Sequence, residues 1–207
     1  MRIAKEGLFY IGLAWVIAAV LFRLHWIAGL VWLPIAIWTV AFFRDPKREG
    51  ERGEDLVIAP ADGKIVGVIA IDEPAFLQGP ATRISIFMSV FDVHVNRYPA
   101  SGRVSYRLYT KGQFGHAMPE KASTANEQCS IGLETSRGRL LIRQIAGSIA
   151  RRIVTDHQPG TDVHQAERMG IIRFGSRVDV FVPGSAQVLI QPGQVARAGQ
   201  TVLARWK

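Results

Sequence analysis

Between residues 7 and 43 apolar side chains occupy every side of the helical period, and after residue 55 the pattern changes to short alternating runs. The first block holds two uncharged stretches, GLFYIGLAWVIAAVLF (7–22) and WIAGLVWLPIAIWTVAFF (26–43), with only Arg23, Leu24 and His25 between them. As helices each would span roughly 24–27 Å, just short of the ~30 Å hydrocarbon core of a bilayer. Core helices of a water-soluble domain would keep a polar face, and neither stretch has one. A cleavable signal peptide is disfavoured, because the second apolar run follows at once with no small-residue cleavage site before it. The pattern therefore predicts an N-terminal α-helical membrane hairpin over residues 1–43, either spanning or re-entrant. Arg2 and Lys5 precede it and Arg44, Lys47 and Arg48 follow it, which places both ends and the remaining chain on the cytoplasmic side of the cell membrane.

RDPKREGERGED (44–55) is a charged connector without apolar periodicity. Residues 56–207 then read as strands punctuated by Gly and Pro, which predicts a mostly β domain, a sandwich or barrel. VIAPADGKIVGVI near 57–69 and VLIQPGQVARAGQTVLA near 188–204 look alike, and both resemble the hammerhead elements of biotinyl/lipoyl-type sandwiches. Lys64 lacks the flanking methionines of a carrier lysine, so the likeness speaks to fold rather than to a carrier role. KGQFGHAMPEKASTANEQCS (111–130) is polar and loop-like, a candidate lid.

Composition narrows the partners. The 207 residues carry 25 Lys and Arg against 17 Asp and Glu, a formal charge of +8. Residues 1–55 are close to neutral, so the excess lies in the β domain, which suits an anionic partner. The apolar N-terminus selects an anionic membrane surface over nucleic acid. Cys129 is the single cysteine and can form neither an internal disulfide nor a cysteine-rich zinc site. His157 and His164 lie in TDHQPGTDVHQAER, but their spacing fits no known zinc pattern, and a solvated loop with no metal is expected.

Three places could carry chemistry. IIRFGSRVDVF (171–181) interrupts a strand-like run with Gly175 and Ser176, for which the plain explanation is a β-bulge. Asp62 sits in the PADGK turn, where an Asx-turn is the plain explanation. His94 sits at an alternating position in FDVHVNRYP, as a core histidine would. Together they supply an acid, an imidazole and a hydroxyl, the parts needed to activate a serine oxygen. FGSR lacks the Gly-x-Ser-x-Gly elbow, and the strand–helix alternation of an α/β-hydrolase is missing.

FFRDP (42–46), PADGKI (60–65), FDVHVNRYPASG (91–102), IARRIV (149–154) and GIIRFGSRVDVFVP (170–183) occur in an order that resembles the short bacterial and archaeal branch of the phosphatidylserine decarboxylase family. The resemblance runs from about residue 42 to the C-terminus. It implies a proenzyme that cuts itself between Gly175 and Ser176, leaving a β chain (1–175) paired with an α chain (176–207) whose first residue becomes a pyruvoyl group. It further implies that Asp62 and His94 activate Ser176, and that the pyruvoyl carbonyl forms a Schiff base with phosphatidylserine to release CO2 and phosphatidylethanolamine. A non-catalytic membrane-tethered adaptor on the same sandwich, and an archaetidylserine-type decarboxylase, are the alternatives. Two positions depart from the family pattern: Phe91 replaces an additional histidine, leaving the proton donor for decarboxylation unassigned, and Gln128 replaces the arginine of an Asn-Glu-Arg element. His116 is a candidate donor by residue type only.

Overall fold

The structure, a computed structural model, describes residues 2–112, 126–147, 153–173 and 176–207. The two uncharged stretches form helices α1 (Leu8–Leu24) and α2 (Trp26–Phe42), separated at His25, whose backbone is extended (φ −157°, ψ 111°). Small residues allow the two to approach: Ala14, Ala18 and Ala36 are buried together, and a Cβ on Gly29 would strike the Phe22 ring. The Trp32 indole donates to the Ala14 carbonyl at 2.9 Å, so its one polar atom is satisfied inside an apolar contact. Leu8, Phe9, Val16 and Val31 are exposed, a continuous apolar surface that water does not favour. The helical stretch Lys5–Leu24 is long and apolar enough to cross a membrane. Strands β1 (Arg2–Ile3) and β2 (Arg44–Asp45) pair antiparallel, closing a first unit that ends at Lys47.

The second unit, Arg48–Lys207, is built from strands, and among the described residues no helix follows α2. In chain order they are β3 (Leu56–Ile58), β4 (Gly63–Glu73), β5 (Gly79–Met88), β6 (Val95–Arg97), β7 (Gly102–Thr110), β8 (Gln128–Thr135) and β9 (Gly138–Ala146). There follow β10 (Ile153–Thr155), β11 (Asp162–Val163), β12 (Arg168–Ile172), β13 (Ser176–Pro183), β14 (Gln187–Val188), β15 (Val195–Ala196) and β16 (Val202–Arg205). Eight form one antiparallel sheet in the order β11-β7-β8-β9-β13-β5-β4-β15, and β10-β12-β6 and β14-β16-β3 form two smaller ones. Register shifts in β4 at Ile65/Gly67 and in β7 at Val104/Tyr106 add the bends that curl the large sheet.

Period-2 alternation decides what each face buries. Ile84, Ile86 and Met88 of β5, Val178, Val180 and Val182 of β13, and Leu140, Ile142 and Ala146 of β9 turn inward to one core. Burying each of the larger side chains contributes about 1.5–3 kcal/mol. On the outward face a smaller cluster of Phe76, Leu141 and Phe181 is covered in part by the turn after β4. The two look-alike segments pair with each other: Val57 and Ile58 meet Ala204 and Val202, while Gly63 and Lys64 meet Ala196 and Val195. Part of the charged connector belongs to this unit, with Gln200 donating to the Glu49 carbonyl at 2.8 Å and the Trp206 amide to the Asp55 carbonyl at 2.8 Å.

Candidate active site around Ser176

Ser176 opens β13, and its backbone is paired on both sides, with Met88 of β5 and Ala146 of β9. It shares the inward face with Val178, Val180 and Val182, so its hydroxyl sits in the core at 0% exposure. From Ser176 onward no register shift interrupts its ladder with either neighbour. Gly175 lies outside the described residues. The Ser176 hydroxyl donates to the Met88 sulfur at 3.3 Å, and the Asn96 amide reaches the same sulfur at 3.7 Å. Gln144 donates to the Asn96 side-chain oxygen at 2.8 Å, so a strip of polar groups crosses an otherwise apolar core. Sulfur is a weak acceptor, which leaves the hydroxyl lightly held. On the outward face Arg177 forks onto Asp179 at 2.6 and 3.3 Å and donates to Ser85 at 2.7 Å.

His94 precedes β6, and its ring is fully buried. Nδ1 lies 3.0 Å from the Asp92 carbonyl, which can only accept, so Nδ1 carries the proton. In a neutral ring that leaves Nε2 with the lone pair, the tautomer a general base requires. The turn leading to it is fixed from both ends, with the Ser89 amide donating to the Asp92 carboxylate at 2.7 Å and the Asp92 amide to the Ser89 carbonyl at 3.0 Å. The His94 carbonyl in turn accepts from the amide of Ile172 at 3.4 Å, four residues before Ser176.

Asp62 is not an Asx-turn residue. Its carboxylate pairs with Arg48 at 2.6 Å and accepts the Ala198 amide at 2.8 Å, both partners distant in sequence. Gly63 makes this bend available: its φ is +151°, and a Cβ there would collide with the Phe87 carbonyl. Among the described residues, no hydrogen bond joins Asp62, His94 and Ser176 to one another. Arg48 was not expected at the site; in the sequence it is one more cation flanking the apolar block. Met88, Asn96 and Gln144 were not expected either.

The remaining sequence candidates are placed as follows. Phe91 is 74% exposed, so its ring takes no part in the buried cluster. Gln128 points outward, on the same face as Ser130 and Arg143, away from the Ser176 side chain. Its neighbours Asn126 and Glu127 hold Ala146 beside Ser176, through Asn126 to the Ala146 carbonyl at 2.8 Å and the Ala146 amide to the Glu127 carbonyl at 2.9 Å. His157 is not wholly solvated: it lies between the Tyr98 hydroxyl at 3.2 Å and Glu167 at 3.4 Å. Burial, then the charges of Glu167 and Asp156, push the Tyr98 phenol well above its ordinary range, so it remains a hydrogen-bond donor. His116 and the first four residues of the IARRIV motif lie outside the described residues. Among the described residues, no group of three His, Cys, Asp or Glu side chains is placed to hold a metal.

The profile of the phosphatidylserine decarboxylase family matches residues 35–204. A phosphatidylserine decarboxylase proenzyme of Symbiobacterium thermophilum is 43% identical over 98% of this chain and 95% of its own length. Proteins of the same name from Azorhizobium caulinodans and Xanthobacter autotrophicus are 44% and 45% identical, over 98% and 97% of this chain and 88% of their own lengths. With the family profile and relatives in agreement over most of its length, the chain belongs to the phosphatidylserine decarboxylase family, a family of decarboxylases made as proenzymes.

Proposed function

We propose that this protein decarboxylates phosphatidylserine to phosphatidylethanolamine, using a pyruvoyl group made from its own Ser176. The observation that carries the reading is the placement of Ser176: a buried hydroxyl on a weak sulfur acceptor, at the first residue of a strand paired on both sides. In self-cleavage Oγ attacks the Gly175 carbonyl and the acyl group moves from nitrogen to oxygen. Removal of the Ser176 α-proton then expels the Gly175 carboxylate and leaves dehydroalanine, which water converts to the pyruvoyl group and ammonia. His94, protonated at Nδ1 by its bond to Asp92, takes the hydroxyl proton at Nε2. Asp62 is the acid of this group, and it begins from an ion pair with Arg48. The residues present suit the cofactor: the ladders of β13 with β5 and β9 would hold its carbonyl carbon in place after the cut. Once formed, the group supplies a ketone that takes up the substrate amine and accepts the electrons freed as CO2 leaves.

The cut would yield a β chain, 1–175, and an α chain, 176–207, which stay together because β13, β15 and β16 pair with strands of the larger piece. Residues 1–43 act as the anchor, and the basic domain faces anionic lipid on the cytoplasmic side of the cell membrane. The test is reduction with cyanoborohydride in the presence of phosphatidylserine vesicles. The lipid mass should be added to the 176–207 fragment alone, and CO2 release should stop. Label on any other part of the protein, or CO2 release untouched by reduction, would contradict the mechanism.

A further inference from the structure

The outward face of the large sheet carries a concavity. It has a volume of about 250 Å³ and is lined by Tyr106, Leu108 and Thr110 of β7, Gln128 and Ser130 of β8, and Arg143 of β9. Ser176 pairs with Ala146, three residues along β9 from Arg143, and an odd separation puts the two side chains on opposite faces. The pocket therefore lies on the opposite face of the sheet from the Ser176 side chain.

Its polar groups are mostly donors without acceptors. Arg143 gives Nε to the Ser130 oxygen at 3.1 Å and lies over the Phe181 ring at 4.9 Å. Neither of its Nη nitrogens has a hydrogen-bond acceptor among the described residues. Ser130 accepts from Arg143 and keeps its own proton to give away, and among the described residues the Thr110 hydroxyl has no hydrogen-bond partner either. Both acidic groups near Arg143 are engaged elsewhere: Asp179 with Arg177 at 2.6 Å, and Glu73 with the amides of Ala75, Phe76 and Leu77 at 3.2, 2.8 and 2.8 Å. Arg83 on the same face adds a like charge. Burial pushes the Arg143 guanidinium below its ordinary range, opposed by Asp179 and Glu73, yet an arginine stays charged. Asp179 faces Arg143 across the β9–β13 ladder but is forked by Arg177, so among the described residues Arg143 has no ion pair of its own and an added anion would be favoured. One acceptor also lacks a partner: among the described residues, Gln128 Oε1 is buried without a donor.

We infer that this pocket binds a small soluble phosphate, either inorganic phosphate or a phosphate monoester, apart from the catalytic serine. The fork of Arg143 and the hydroxyls of Ser130 and Thr110 would take the phosphate oxygens, and a P–OH would satisfy Gln128. A lipid phosphodiester has the same charged oxygens but no P–OH, which disfavours a lipid headgroup here.

The full Ser176→Ala chain in detergent, a single uncut species, is titrated with inorganic phosphate at constant ionic strength, following heat release and melting temperature with chloride as the control. Saturable binding is expected, weakened at least about tenfold in Arg143→Gln. Arg143→Lys, which keeps the charge and the packing on Phe181 but loses the fork, is expected to fall between the two. Thr110→Val, at a site where no packing depends on the hydroxyl, is expected to weaken binding without lowering the melting temperature in the absence of phosphate. On the Ser176 background, Arg143→Lys is expected to self-cleave at the normal rate. Phosphate binding that does not saturate, or that survives equally in all three variants, would overturn the inference. So would glycerophosphoserine, a diester, binding more tightly than phosphate through Arg143, since that assigns the pocket to a lipid headgroup. Loss of self-cleavage in a cooperatively melting Arg143→Lys protein would show that the pocket is not separate from the active site.

Discussion

At the scale of single residues the proposed site rests on two hydrogen bonds and one ion pair. The Nδ1 bond of His94 to a carbonyl fixes the tautomer, and Nε2 is then the only basic atom the ring can offer. His94→Gln should slow self-cleavage by about 10²–10⁴-fold, the usual worth of a positioned general base. The time course of the 176–207 fragment on a gel measures this, and an unchanged rate would remove His94 from the mechanism. Arg48 and Asp62, 9% and 15% exposed, form a mostly buried pair. Arg48→Ala leaves the carboxylate with only the Ala198 amide and should cost about 3 kcal/mol in unfolding free energy, read from a denaturant midpoint. A cost near zero would mean that water replaces the arginine freely. Ser176, His94 and Asp62 draw notice in the sequence by residue type, but the roles proposed for them come from the family resemblance. Arg48 draws none, since an arginine among charges reads as solvated, and the alternation that marks Met88 as core says nothing of its sulfur.

At the scale of elements, periodicity carried most of the fold. The unbroken apolar character of 7–22 and 26–43 gave two helices whose bounds, Leu8–Leu24 and Trp26–Phe42, lie within two residues of the sequence stretches. The strand runs after residue 55 likewise fall on β4, β5, β7, β9 and β13. Pairing was less legible, because order within an antiparallel sheet is set by contacts between distant strands. Nothing local in VIAPADGKIVGVI says that it pairs with the very segment it resembles. Alternation does assign Cys129 to the inward face, beside Ile131 and Leu133. Burial pushes its thiol above the ordinary range, with Arg107 opposing. Alkylation by iodoacetamide at pH 8 should therefore be about a hundredfold slower in the native protein than in urea. Comparable rates would place Cys129 at the surface. Gly63→Ala should lower the melting temperature and slow self-cleavage together, since the left-handed backbone it strains carries Asp62 into place.

At the scale of the whole molecule, the chain divides at Lys47 into a helical unit and a β unit with its own core. The chain shortened to residues 48–207 should stay in solution without detergent and still cut itself, because Arg48, Asp62, His94 and Ser176 all lie in the second unit. Sedimentation with vesicles would show whether the helical unit is what holds the chain to lipid, and failure to self-cleave would show that the helices take part in the reaction. Conversion of Ser176 to a pyruvoyl group is read from the intact mass of the purified protein beside its Ser176→Ala variant. The account predicts two masses in the parent, one of them residues 176–207 with a pyruvoyl group in place of the serine, and one uncut chain in the variant. A single uncut mass in both folded proteins, or a cut that persists in the variant, would contradict it.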